Sequence, residues 1–391
     1  MAVAGGAAVA LLFSCFVWTY ESGIELLWRD LPDALDLDPF DSWWIFAVPV
    51  VGGLLVGICQ RVLGNVPLPM QDVFARIRSG ERLPGGTALR AILSSLAALL
   101  FGGPLGFEAA LVSIIAGSSY WVGDRLHSVE RFVAVAAGVD EAEDLPRSLR
   151  RLPVWVAAIA GALAYSWMPF GKIDTSMFRF TSDGRWIDLD EGLWIVAIAA
   201  LVTIPAAWAI SVVQRAEQAT FFRRSPVLIG MAGGLVFAAL AWNDEYVLFS
   251  GQQTLQHLDG LSDGSLIYIA VAKWAALCIA LVAGWRGGPI FPTFVSAAAI
   301  GVIMADVVGV SSDVMIIGAA AGVTAVFLKG NVPAAFVLTL YVAPLSYAGV
   351  ILLGCGTGAV MLAVGAAAGL MPRTSLPEPA ASPGDRGDAT R

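Results

Sequence analysis

The feature that most constrains this chain is a series of apolar stretches too long for a soluble domain. Residues 43–59 (WWIFAVPVVGGLLVGIC), 193–213 and 265–284 each run for seventeen residues or more with almost no charge. As helices, about 20 such residues cross roughly 30 Å of hydrocarbon. Composition agrees: 58% of the 391 residues are hydrophobic and 14% are charged, against roughly a quarter charged in a soluble domain. The reading is an all-α, polytopic membrane protein.

Gly and Pro breaks divide the apolar segments unevenly. They predict embedded helices near 4–28, 43–63, 69–79, 86–102, 108–122, 130–138, 152–168, 192–216, 226–242, 264–284, 290–306, 313–328, 332–343 and 347–370. Several are too short to span. Half-helices survive at membrane depth only where their ends are buried in protein or line a wet cavity, so they imply a solute path. Interrupted elements near 102–112 and 284–301 fall in the two halves, 1–170 and 190–372, as in inverted-repeat transporters.

Residues 2–20 lack the basic flank of a signal peptide and read as a retained first helix. Loop charge orients the chain. Arg61, Arg76, Arg78, Arg82 and Arg90 crowd the 60–90 connection, and Arg215, Arg223 and Arg224 the 214–225 turn. The 21–42 and 243–263 stretches are acidic. Basic loops inside give a cytoplasmic N-terminus in a plasma or inner membrane. The transmembrane domain is expected to cover 1–372, with a disordered Pro- and Ser-rich tail at 373–391 and no cytoplasmic regulatory domain. The net charge of −8 argues against nucleic acid. Cys15, Cys59, Cys278 and Cys355 show no metal-type spacing, and His127 and His257 are isolated. No metal, cofactor or catalytic centre is expected, and an embedded enzyme would need a nucleophile–base pair or a metal cluster that the chain does not present.

One acid stands out. In GGPLGFEAALV (102–112) Gly106 lets the backbone turn, and Glu108 falls at the start of the helix that follows. Unpaired N–H groups and the positive end of the helix dipole would hold a carboxylate or a diffusible anion equally well there. Glu108 is therefore read as a gate that competes with the anion, or else as a capping acid. Phe107 and Ala109 flank it. A second constellation, GWRGGPIFPTFVSA, places Gly288, Pro289, Ile290 and Phe291 at another helix start, and a third, weaker one opens at Val66 in NVPLPMQDVFARI. Lys273 and Arg286 are candidates for lending positive potential to an anion path.

The order of these motifs, a proline-opened helix, then LG-x-E, then GG-x-IFP, resembles the CLC family of chloride channels and proton–chloride antiporters, as does AGVTAVFLKGNVPAAFVLTLYV (321–342). The resemblance is strongest to a divergent bacterial ion-transport branch, in LFSGQQTLQHL (248–258), AVAKWAAL (270–277) and GWRGGPIFP (284–292). It implies an inverted repeat of short broken helices, three helix starts converging on one anion, and Glu108 as the gate. It also implies chloride as substrate, with fluoride or nitrate as alternatives, and a homodimer in the bilayer.

Departures accompany the likeness. Val66 stands where the family's first motif carries a serine, and Phe107 where arginine is common. No tyrosine lies near the C-terminus to close the inner side. DEAEDLPRSLRRLP (140–153) replaces a helix pair of the first half, which looks shortened. That missing region carries the family's inner proton-relay glutamate and part of the dimer interface. Passive conduction, proton-coupled exchange and a non-transporting scaffold thus stay open, with passive or weakly coupled transport favoured slightly.

Overall fold

The computed structural model describes residues 2–68, 86–118, 187–218, 225–340 and 343–368, together with Val73, Arg76 and parts of 156–170. The expected helices at 69–79 and 130–138, the 140–153 connector and the tail lie largely or wholly outside these residues. Eleven helices are used below: α1 (Ala2–Glu25), α2 (Trp44–Leu63), α3 (Thr87–Leu99), α4 (Glu108–Ser118), α5 (Leu189–Gln218), α6 (Pro226–Ala241), α7 (Asp263–Val282), α8 (Ile290–Val308), α9 (Ser312–Phe327), α10 (Val332–Leu340) and α11 (Ala348–Ala367). Among the described residues, six apolar helical segments are long enough to cross a bilayer, and α3, α4, α6 and α9 are apolar but shorter.

Of the shorter helices, α9 sits inside. From Val314 to Phe327 every residue of α9 is buried, with α5, α8, α10 and α11 packed around it. A helix apolar on all sides has no face to offer water or headgroups, so it belongs at the centre. The tight packing comes from small residues. Gly354 and Gly358 of α11 lie against the carbonyls of Gly318 and Gly322 of α9, where a side chain would collide. Gly53 of α2 and Gly230 of α6 meet backbone to backbone in the same manner. Lipid provides little hydrophobic drive between helices, so close van der Waals approach through such pairs has to hold them.

A second core surrounds the two chain reversals that interrupt the bundle, 100–107 and 283–289. Leu99, Leu105, Phe237, Leu248 and Trp285 are all fully buried there. The Trp285 ring packs edge-on against Phe237 at 4.8 Å. Its Nε1–H donates to the Gly230 carbonyl at 3.0 Å, which ties the second reversal to α6. Gln60 of α2 donates its side-chain amide to the Gly284 carbonyl at the same reversal.

Candidate functional site

The two reversals repeat each other with little sequence in common. Gly102 (φ 81°) and Gly284 (φ 86°) open them in the left-handed region, where a side chain is strained. One residue on, Gly103 N–H donates to Ala98 and Trp285 N–H to Ala280, each five residues back. Gly106 follows Gly102 by four residues, as Gly288 follows Gly284, and α4 and α8 both start two residues later. The two copies then meet. Gly106 N–H donates to the Gly288 carbonyl at 2.7 Å, and Gly288 N–H to the Gly106 carbonyl at 2.6 Å. This reciprocal antiparallel pair joins the halves back to back.

Glu108 lies over that junction. It is the first residue of α4, 8% exposed, and Oε1 accepts the Phe291 N–H at 2.8 Å in the first turn of α8. That amide is one of the donors that a helix start leaves without an intrahelical partner. Oε2 is buried and has no hydrogen-bond partner. It faces the α-carbons of Gly106 and Gly288, where a Cβ on either would overlap it. The acid therefore caps the other repeat's helix, a role that its place in its own helix does not disclose. Phe107 and Phe291 flank the carboxylate with ring centroids 5.7 Å apart. Ala109 is buried in the first turn of α4, and Pro289 is the residue that opens α8, with Ile290 buried behind it.

The structure thus brings together Gly106, Phe107, Glu108, Ala109, Gly288, Pro289, Ile290 and Phe291. Val66 stands apart from them in the turn after α2, its N–H bonded to Gly64. Leu68 beside it packs with Val73, Val112 and Ala116, further along α4 than Glu108, and most of the helix it would open is outside the described residues. Arg286 is half-buried within the second reversal. Lys273 is fully buried. Its Nζ donates to the carbonyls of Tyr246, Leu248 and Phe249 at 2.6, 3.0 and 3.3 Å. Those three bonds use all the donors an ammonium has, so the group has none left for an anion.

A cavity of about 440 Å³ opens beside Phe107. Phe107 and Tyr20 line it along with Trp28, Phe249, Ser250 and Gly251, and Glu21, Glu25 and Glu245 also border it. Arg29 on the same wall is paired with Glu25 at 3.0 Å. Tyr20 sits 6.3 Å from the Phe107 ring, with its hydroxyl against Ser250 and within electrostatic reach of Glu108. In the connection to α7, burial raises the Glu245 carboxyl above its ordinary range, and the charges of Asp244 and Asp38 push the same way. The sequence did not single out Tyr20, Ser250 or Trp285 as site residues, although the last two lie within the stretches 248–258 and 284–292. Nothing local marks them, since each acts through a contact with a distant segment.

Comparison with known proteins agrees with this geometry. A family model described as "Voltage gated chloride channel" matches residues 142–363, more than half of the chain. "Putative ion-transport protein YfeO" of Salmonella newport (strain SL254) is 25% identical over 310 residues, covering 72% of this chain and 73% of its own. The protein of the same name from Salmonella typhimurium matches equally well. Among solved structures, a slow cyanobacterial Cl−/H+ antiporter superposes with a TM-score of 0.71 at 13% identity, covering 93% of this chain and 94% of that one. A CLC-type fluoride/proton antiporter gives 0.66 at 16%, covering 92% and 94%. With two interrupted repeats joined at paired glycines and a family model spanning its second half, this multi-pass membrane chain belongs to the voltage-gated chloride channel (CLC) family.

Proposed function

We propose that the chain is an anion permease, not an enzyme, in which Glu108 gates a seat at the start of α8, with chloride the first expected substrate and fluoride or nitrate the alternatives. The observation that carries this is the Phe291 N–H held by Glu108 Oε1 at 2.8 Å. A main-chain donor at a helix start, shielded from water, suits any small anion. An ionised carboxylate binds it through a charge-assisted hydrogen bond and excludes other anions. When Glu108 leaves, the same donor meets the permeating ion in a low-dielectric site where its attraction is strong. Protonation weakens the carboxylate's claim on the seat, so flux rises as pH falls.

Coupled exchange with protons is the second reading, favoured by the unpartnered Oε2, which offers a place for a proton in the buried state. The likeness in fold to antiporters of protons with chloride or fluoride points the same way. The working unit is taken to be a homodimer in the cell membrane with cytoplasmic N-termini. Efflux from chloride-loaded liposomes, with voltage clamped by a potassium ionophore, tests the proposal. Glu108→Gln should flatten the pH dependence of release. Uphill proton movement driven by an anion gradient would select exchange over passive conduction. No release above empty liposomes for chloride, fluoride or nitrate would overturn transport and leave a scaffold.

A further inference from the structure

The turn between α6 and α7 is held in an unfavourable shape. Phe249 has φ of 58° and Gly251 φ of 77°, and a bulky non-glycine residue adopts the left-handed region only when its surroundings impose it. Lys273 imposes it from below. The side chain rises from the middle of α7 through apolar core and places three donors on the carbonyls of Tyr246, Leu248 and Phe249. Asp244, at the start of the turn, adds electrostatic attraction. Gly251 must be glycine for the same reason, because a Cβ there would lie 2.6 Å from Lys273 Cε and 2.8 Å from Nζ.

The other side of this turn bears on the gate. Phe249 N–H donates to the carbonyl of Gly102 at 3.3 Å, the residue that opens the reversal leading to Glu108. Trp28 meets the Phe249 ring edge-on at 5.1 Å, and its Nε1–H donates to the Leu100 carbonyl at 2.8 Å. The reversal is thus held at both ends of its first bend, at Gly102 by the turn that the lysine braces and at Leu100 by Trp28, against which the Phe249 ring packs.

We propose that Lys273 is a positioning residue: it braces the 246–251 turn, which fixes the 102–108 reversal and so sets the Glu108 carboxylate on the Phe291 amide. The inference rests on Glu108 being the gate. It is a positional role, separate from any positive potential that the buried charge lends to an anion path. Among the described residues, the ionisable groups toward Glu108 are Tyr20 with its neighbour Glu21 on α1, Arg286 in the facing reversal, and Asp244 with Lys273 behind the braced turn. Of these, only Lys273 is altered in the test below.

The test is anion efflux from liposomes across pH 5–8 with the full chain, comparing wild type, Lys273→Met, Glu108→Gln and the double variant. Methionine fills a similar volume but leaves three buried carbonyls without donors. Lys273→Met should move the midpoint of the pH curve by about half a unit or more as the carboxylate loses its fixed partner. In the Glu108→Gln background the same substitution should have little further effect, since residues acting through one group do not add. Lys273→Arg, which keeps donors aimed at the carbonyls, should restore part of the wild-type curve. Gly251→Ala, which keeps the charge but displaces the ammonium, should reproduce the shift and decides the matter if Lys273→Met does not fold. An unmoved midpoint in monodisperse Lys273→Met and Gly251→Ala, or an equal loss of flux in both Glu108 backgrounds, would overturn the brace. If Glu108→Gln itself leaves the pH curve unchanged, the gate reading falls and takes the brace with it. If Glu108→Gln flattens the curve while Lys273→Met leaves it in place, the brace alone fails.

Discussion

Replacing Glu108 separates the charge of the gate from its bulk. The carboxylate holds its seat chiefly through the 2.8 Å bond from Phe291 N–H, with Oε2 gaining no hydrogen bond. A hydrogen bond to a charged group is worth about 1.5–3 kcal/mol and a neutral one about 1 kcal/mol. Neutralising the acid therefore weakens its hold by about 0.5–2 kcal/mol, which raises the fraction of open seats roughly twofold to thirtyfold. Wild-type efflux should increase by such a factor between pH 8 and the acid limit. Glu108→Gln keeps the shape and a neutral acceptor, so its flux should be flat with pH and close to the wild-type acid limit. Glu108→Ala removes the competitor altogether and should also be flat, at or above the Gln variant. The assay is chloride release under voltage clamp, normalised to reconstituted protein. A Gln variant that retains the wild-type pH curve, or a wild type without one, would refute competition for the seat.

Three further outcomes test the supporting structure. Trp285→Phe loses the bond to Gly230, whose carbonyl keeps its place in the α6 ladder, so it should destabilise the protein by about 1 kcal/mol, seen as a lower melting temperature in detergent. Gly53→Leu drives a side chain into the backbone of Gly230 and Met231 and should abolish the monodisperse peak in size exclusion. Gly356→Ala, in α11 where nothing lies near, should keep it. Burial raises the Glu245 carboxyl, so folding favours its protonated form. The stability it contributes is complete below the ordinary carboxylate range and is lost as pH climbs through the raised value. Glu245→Gln should therefore lessen the fall in melting temperature across that window.

Much of the architecture was legible because hydrocarbon leaves a chain few choices. A buried peptide group must find its partner within a helix, so length and apolarity alone placed the described helices from α1 to α11 close to where they stand. The glycine pairs Gly318 with Gly322 and Gly354 with Gly358 show themselves as positions of close backbone approach only once α9 and α11 are packed together. Glu108 could be picked out because an acid is costly at that depth. The sequence did not disclose which helix the acid serves, because a helix start looks alike whether it holds its own side chain or one from 183 residues away. The repeat was likewise faint in the letters. Backbone bonds at Gly102, Gly106, Gly284 and Gly288 recur at fixed offsets, but they require a backbone shape and leave most of the neighbouring side chains free. Lys273 illustrates the same divide. Its cost in an apolar helix was readable, yet its three carbonyl partners come from a turn that only tertiary packing brings over α7. Periodicity and polarity act along the chain and determined the helices, whereas the proposed seat, gate and brace depend on contacts between distant segments, which only tertiary packing brings together.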